Sequence, residues 1–184
     1  MLSYTRQDER VGEDTAAMSV VDRRFDTPWG EGLASVSNGR LVGVELPPLA
    51  GQTGDVDSEG LGAEDRRALE RWTSELEAYF RGERMSWSVE DLDLEGATQF
   101  ARRTVEALMS VPAGITVAYG ELAEMAGVPR AARAVGSVMA GNPIPVVVPC
   151  HRVIRSDGRL GRYGSDPTWK ERLLTHERLY SQRG

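Results

Sequence analysis

Val148-Pro149-Cys150-His151-Arg152-Val153 holds the one cysteine of the 184-residue chain. A lone cysteine makes no internal disulfide and builds no cysteine zinc site. Three jobs remain for it: nucleophile, redox sensor, or inert filler of an apolar core. Its neighbours weigh against filler. The thiol stands between a proline and a histidine and follows Pro145-Val146-Val147-Val148. That apolar run predicts a buried strand, ending in a turn that presents a thiol beside an imidazole.

Working outward, the residues around this turn read as helices. Phe100 to Ser110 has helical spacing and is stopped by Pro112 and Gly114. Tyr119 to Ala126 forms a short helix closed by Gly127, and Arg130 to Ala140 the next one, closed by Gly141-Asn142. Two short helices joined by a glycine-containing turn form a helix-turn-helix pattern. The second helix is rich in small residues: Ala131, Ala132, Ala134, Gly136, Ser137 and Ala140. Such a face admits a flat partner at close range, and equally suits tight helix–helix packing. After the cysteine comes a basic loop with Arg155, Arg159 and Arg162. A last helix runs from about Pro167 to Tyr180, with Asp166 as its N-cap and Pro167 at its first position.

The first half is different in kind. Residues 1–17 are polar and read as a mobile tail. Short β-like runs follow over 18–46: Ser19 to Phe25, then a Thr27-Pro28-Trp29-Gly30 turn, then two runs flanking Asn38-Gly39, a strong hairpin signal. Residues 47–63 are loop-like. Leu69, Trp72, Leu76, Tyr79 and Phe80 mark an amphipathic helix over 64–81 that Arg81-Gly82 ends, and 82–98 connects to the second half.

Charge divides the same way. Residues 1–98 carry 10 Lys/Arg and 21 Asp/Glu; residues 99–184 carry 12 and 7. The net charge of −6 therefore hides a basic half suited to an anionic partner. Lys170 is the only lysine among 22 basic residues, a bias that codon composition explains as well as function does. No stretch of 18 apolar residues predicts a membrane span. The start lacks the apolar core of a secretory signal, and with the free thiol this gives a cytoplasmic expectation, nucleoid-associated in a bacterium.

The helix pair, then Gly141-Asn142-Pro143, then Pro149-Cys150-His151-Arg152-Val153, resembles the O6-alkylguanine–DNA alkyltransferases, which are suicide DNA repair proteins. The resemblance is strong from about Tyr119 to Glu177 and, over 18–98, is one of layout only. Asn142 eight residues before Cys150 makes it specific; a helix-turn-helix alone would not. It implies an α/β chain: a small β-sheet plus helix of ribonuclease-H-like type over 18–94, then a mostly helical, winged-helix-like domain over 95–184 that binds DNA and takes the alkyl group.

The activity implied is repair of O6-alkylguanine, with O4-alkylthymine as a second lesion, by irreversible transfer of the alkyl group to Cys150. Thiolate suits this chemistry, because sulfur attacks carbon well at neutral pH. By resemblance, His151 takes the Cys150 proton through a water, Glu177 orients and charges His151, Tyr119 serves guanine N3, and Asn142 fixes the cysteine turn. That arrangement would lower the thiol pKa. Arg133 matches the finger that enters the base stack while the target base is flipped out. Arg130, Ala132, Ala134 and Gly136 belong to the same DNA-binding helix, which lies in the minor groove. Met139, Val153, Leu160, Tyr163, Gly164 and Ser165 match the pocket, with the Cys150 and Val153 carbonyls accepting from the guanine amine and the Gly164 amide facing O6. The partner implied is double-stranded DNA bound by a monomer, with no cofactor, soluble methyl donor, metal or membrane.

Each residue has a plainer reading alone. Tyr119 would be a packing tyrosine, Arg133 a solvated helix arginine, Glu177 a surface charge, Asn142 a helix cap. Departures also exist. Gly164-Ser165-Asp166-Pro167 stands where the family has small residues, and Ala140 where some members have a basic one. Some members bind zinc in the first half, which here has no Cys or His. His176 reads as structural. Other functions compatible with the chain are a non-catalytic damage-recognition module, a helix-turn-helix regulator and a thiol hydrolase. The presence of Cys150 separates the first of these from the alkyltransferases.

Overall fold

The computed structural model describes residues 20–48, 62–161, 163, 164 and 166–181. The tail expected over 1–17 and two loop residues, Arg162 and Ser165, lie outside them. Three antiparallel strands open the chain: β1 (Val21–Thr27), β2 (Gly30–Ser37) and β3 (Arg40–Glu45), in the order β1-β2-β3. Thr27 pairs with Gly30 across Pro28-Trp29, and Ser37 pairs with Arg40 across Asn38-Gly39. The second turn requires a left-handed backbone at both central residues, and Asn38 (φ 50°) and Gly39 (φ 73°) supply it. The Gly39 N–H donates to Asp65 Oδ1 at 2.7 Å, pinning the hairpin tip to the next element.

That element is α1 (Ala63–Phe80), one residue off the helix that the spacing predicts. Its buried stripe of Leu69, Trp72, Leu76, Tyr79 and Phe80 lies on Phe25, Ala34, Val36, Leu41 and Val44 of the sheet. Leu76 is fully enclosed, so truncating it to alanine costs about 2–5 kcal/mol. Gly82 then ends the helix with φ 92°, and a Cβ there would fall 2.1 Å from the Tyr180 ring.

The second half holds α2 (Gln99–Met109), α3 (Tyr119–Met125), α4 (Ala132–Ala140) and α5 (Thr168–Ser181), with two short parallel strands, β4 (Val117–Ala118) and β5 (Val153–Ile154). Thr98 caps α2 through its side chain, and the Asp166 carboxylate accepts the Thr168 N–H at 2.9 Å at the start of α5. Among the described residues no helix is long and apolar enough to cross a membrane.

Two expectations need correction. The helix expected from Arg130 starts at Ala132; Arg130 itself is left-handed (φ 70°) and belongs to the turn. The buried strand expected over 145–148 is a turn. Ile144 O accepts the Val148 N–H at 2.9 Å, and Val148 O accepts the Cys150 N–H at 2.7 Å. Val146 has φ 76°, a conformation costly by about 1–2 kcal/mol for a side chain with a Cβ. Full burial of Val146, Val147 and Val148 offsets that cost. Periodicity could not separate the two readings, because a short apolar run looks alike in both.

One apolar cluster runs from Phe25 and Trp72 through Leu92, Val105 and Val135 to Leu173, so both halves share a core. Direct bonds join them as well. Pro143 O accepts the Val44 N–H at 2.9 Å, and Trp169 Nε1 donates to Pro47 O at 2.6 Å.

Candidate active site

The turn that replaces the strand aims the thiol. Asn142 ties it together: its Nδ2 donates to Val148 O at 2.9 Å and to Cys150 Sγ at 3.1 Å, while its Oδ1 accepts the Ile144 N–H at 3.1 Å. Three bonds from one amide hold the backbone and touch the sulfur. Cys150, His151 and Arg152 then form a single buried 3₁₀ turn. Its curl sends Cys150 to one side and His151 with Arg152 toward α5.

There they meet Glu177, which is 2% exposed. The surface-charge reading of this residue is therefore excluded. His151 Nε2 lies 2.8 Å from Glu177 Oε1. Arg152 donates from Nε to both carboxylate oxygens at 3.1 Å and from Nη2 to Oε1 at 2.8 Å. The Tyr79 hydroxyl donates to Oε1 at 3.0 Å and the Gly114 N–H to Oε2 at 2.9 Å. Burial alone would raise the Glu177 carboxyl, but the bonds and charges of His151 and Arg152 outweigh it and hold it well below the usual carboxylate range. The ionised carboxylate makes His151 Nε2 the donor and leaves Nδ1 as the acceptor. Nδ1 is buried and has no partner among the described residues.

The electrostatics differ from the expectation that Glu177 charges the imidazole and thereby lowers the thiol. Burial lowers His151, and the pull of Glu177 does not overcome it; Arg152 and Lys170 push the same way. Burial likewise raises Cys150, more than Asn142, Tyr163 and Lys170 lower it. At rest the pair is a neutral thiol and a neutral imidazole. Burial is the main cause for both groups, and Arg152 adds to it at His151, where it offsets part of the charge of Glu177.

Lys170 was legible only as the chain's sole lysine. It is 1% exposed, with Nζ donating to Val153 O at 2.5 Å, and burial lowers its pKa while the charge of Cys150 raises it. The Tyr163 hydroxyl is buried without a hydrogen bond among the described residues, yet sits close enough to Cys150 for each group to shift the other. Burial raises the half-buried Tyr119, and so does the thiol.

A cavity of about 800 Å³ opens on Cys150. Tyr119, Gly136, Met139, Asn142, Tyr163 and Gly164 line it, as does a segment of the first half, Glu45 to Pro48. Val153 is wholly buried, and neither it nor Leu160 lines this cavity. The carbonyls of Cys150 and Val153 each accept one bond already, from the Val153 N–H and Lys170, and each retains a second lone pair. Gly136 faces the Tyr119 ring, so the small face of α4 is turned partly inward. Arg133 and Ala134 are exposed on the same helix and Ala132 is half-buried. The Arg133 guanidinium makes no hydrogen bond or ion pair among the described residues, and Arg130 is exposed beside it in the turn. His176 lies elsewhere, its Nε2 2.8 Å from Tyr79 O within an aromatic cluster. No group of His, Cys, Asp and Glu suited to a metal occurs among the described residues.

Residues 99–179 match the family described as 6-O-methylguanine DNA methyltransferase, DNA binding domain. A methylated-DNA–protein-cysteine methyltransferase of Mycolicibacterium paratuberculosis is 48% identical over 118 residues, which cover 64% of this chain and 70% of that protein. The chain belongs to the methylated-DNA–protein-cysteine methyltransferase family. The mouse member is 39% identical over 171 residues, covering 83% of this chain and 79% of its own. Among solved structures, the Mycobacterium tuberculosis OGT in complex with DNA superposes with a TM-score of 0.70 at 35% identity, covering 86% of this chain and 93% of that one. The mixed architecture of a small antiparallel sheet and packed helices is thus that of OGT.

Proposed function

We propose that this chain repairs alkylated guanine in DNA by taking the alkyl group onto Cys150, once per molecule. The observation that carries this reading is a single buried thiol, held at 3.1 Å by Asn142, at the floor of a cavity wide enough for a base. Family membership and the DNA complex of a relative support DNA as the partner.

In the mechanism we infer, the thiol proton passes through a water to His151 Nδ1, the ring atom without a partner among the described residues. Glu177 stabilises the imidazolium so formed. The Cys150 sulfur forms a bond to the alkyl carbon as the carbon–O6 bond breaks, and that electron pair goes to the base. Tyr119 gives ring N3 a proton, so guanine leaves neutral. The thioether has no good leaving group, which makes the protein single-turnover. A resting neutral thiol protects the one-use nucleophile until a substrate is seated.

The base must leave the duplex to reach Cys150. We assign Arg133 to the vacancy it leaves, with α4 in the minor groove and phosphate contacts dominating affinity. The exposure of Arg133 and the small residues around it favour this assignment. We also infer a monomer, a cytoplasmic setting, and a division at 94/95 into a ribonuclease-H-like unit and a winged-helix-like unit. The three-stranded sheet under α1 and the α3–α4 pair beside β4 and β5 support the two descriptions.

Stoichiometry tests the reading. With duplex carrying O6-methylguanine in excess, lesion loss should stop at one per protein molecule. Continued turnover, or no loss at all, would contradict it.

A further inference from the structure

The cavity on Cys150 is not made by the second half alone. Glu45, the last residue of β3, and Leu46, Pro47 and Pro48, which follow it, line the cavity together with Gly136, Met139 and Ala140 of α4. Two bonds hold this segment against the site. Pro143 O, next to Asn142, accepts the Val44 N–H at 2.9 Å. The Trp169 indole, itself a lining residue, donates to Pro47 O at 2.6 Å and is 3% exposed. Pro47 is buried, Leu46 is half-buried against the common core, and neither proline can donate a backbone hydrogen bond to a ligand. The surface they offer is therefore apolar and held in place from both sides. At about 800 Å³ the cavity exceeds what a guanine with one methyl group fills, and this segment bounds part of it.

We propose that the Leu46–Pro47–Pro48 turn, latched by Trp169, is a specificity-determining wall that sets how large an apolar O6 substituent this protein accepts. The inference rests on the proposed alkyl transfer to Cys150. It gives the first half a role in substrate choice besides support. A methyl group is too short to reach the wall, so methyl transfer depends on it little. A benzyl group fills the space before it. Removing side-chain volume there relieves or loosens contact with the larger group only, and adding volume excludes it.

The test compares transfer rates from two duplexes, one with O6-methylguanine and one with O6-benzylguanine. The proteins are the full chain, Leu46→Ala, Leu46→Trp and Trp169→Phe, the last keeping an aromatic ring but losing the donor to Pro47. Leu46→Trp should lower the benzyl-to-methyl rate ratio by about tenfold, the scale on which pocket walls discriminate by small volumes. Leu46→Ala and Trp169→Phe should both move the ratio away from that of the full chain, and in the direction opposite to Leu46→Trp. A ratio unchanged in Leu46→Trp, with methyl transfer intact, overturns the proposal even if the other two variants fail to fold. Absence of methyl transfer by the unaltered protein would overturn the alkyltransfer reading instead, so the two failures are distinct.

Discussion

Arg152 and Glu177 form a buried, three-bond ion pair at 2.8–3.1 Å, and His151 meets this pair rather than a free carboxylate. The Arg152 guanidinium also donates to Val111 O, so the pair is fixed to the turn after α2 as well. Removing one partner of such a pair leaves an uncompensated buried charge. Arg152→Met should therefore destabilise the protein by about 3–5 kcal/mol, measured by denaturant unfolding. It should also raise the His151 pKa, followed by NMR, because the remaining carboxylate then acts on the imidazole alone. An unchanged His151 titration would remove Arg152 from the groups that lower it.

The rate of methyl transfer should be level around neutral pH and fall in acid. Burial raises Cys150 and lowers His151, so the neutral thiol–imidazole pair, within which the proton moves, is the populated form there. Protonation of His151 at lower pH removes the proton acceptor. Lys170 lowers both groups through its charge, so Lys170→Met should displace the profile to higher pH. Superimposable profiles for the two proteins would remove Lys170 from the set of groups acting on the pair.

Asn142 serves backbone and sulfur together, so its loss should register twice. Asn142→Ala leaves the Ile144 N–H without its partner, at about 1–3 kcal/mol, and takes from Val148 O one of its two bonds, the one from the Cys150 N–H remaining. Transfer should slow beyond what the lost stability explains, because Sγ loses its donor. Loss of stability with an unaltered rate in the folded fraction would confine Asn142 to holding the turn.

Replacing Arg133 by alanine should slow repair of duplex DNA far more than reaction with free O6-benzylguanine. A free base needs no flipping, whereas unstacking within a duplex costs a few kcal/mol. Parallel rates on both substrates would take Arg133 out of the role of finger.

How far the sequence was legible depends on the range of the forces involved. Local rules carried the hairpin at Asn38-Gly39 and the helix on Trp72 and Leu76, because turn chemistry and periodicity act over a few residues. They failed over Pro145 to Val148, where side-chain bonds from Asn142 and burial impose a left-handed Val146 that no local propensity favours. Family resemblance named Cys150, His151 and Glu177. It did not disclose Arg152, Tyr79 or Lys170 as their partners. Tyr79 reaches Glu177 across 98 residues of chain, and Lys170 reaches Val153 across 17, so only the packed structure brings them together. The outcome for charge follows from the same cause: the motif suggested an activated thiol, while burial gives a resting neutral one.

The central claim is that Cys150 itself takes the alkyl group, and peptide mass spectrometry after incubation with duplex O6-methylguanine tests it most directly. One methyl should appear on the peptide bearing Cys150 as the lesion disappears. Cys150→Ser should bind the same duplex yet leave the lesion and its own mass unchanged. Loss of the lesion with Cys150 unmodified, or a methyl on any other residue, would contradict the account.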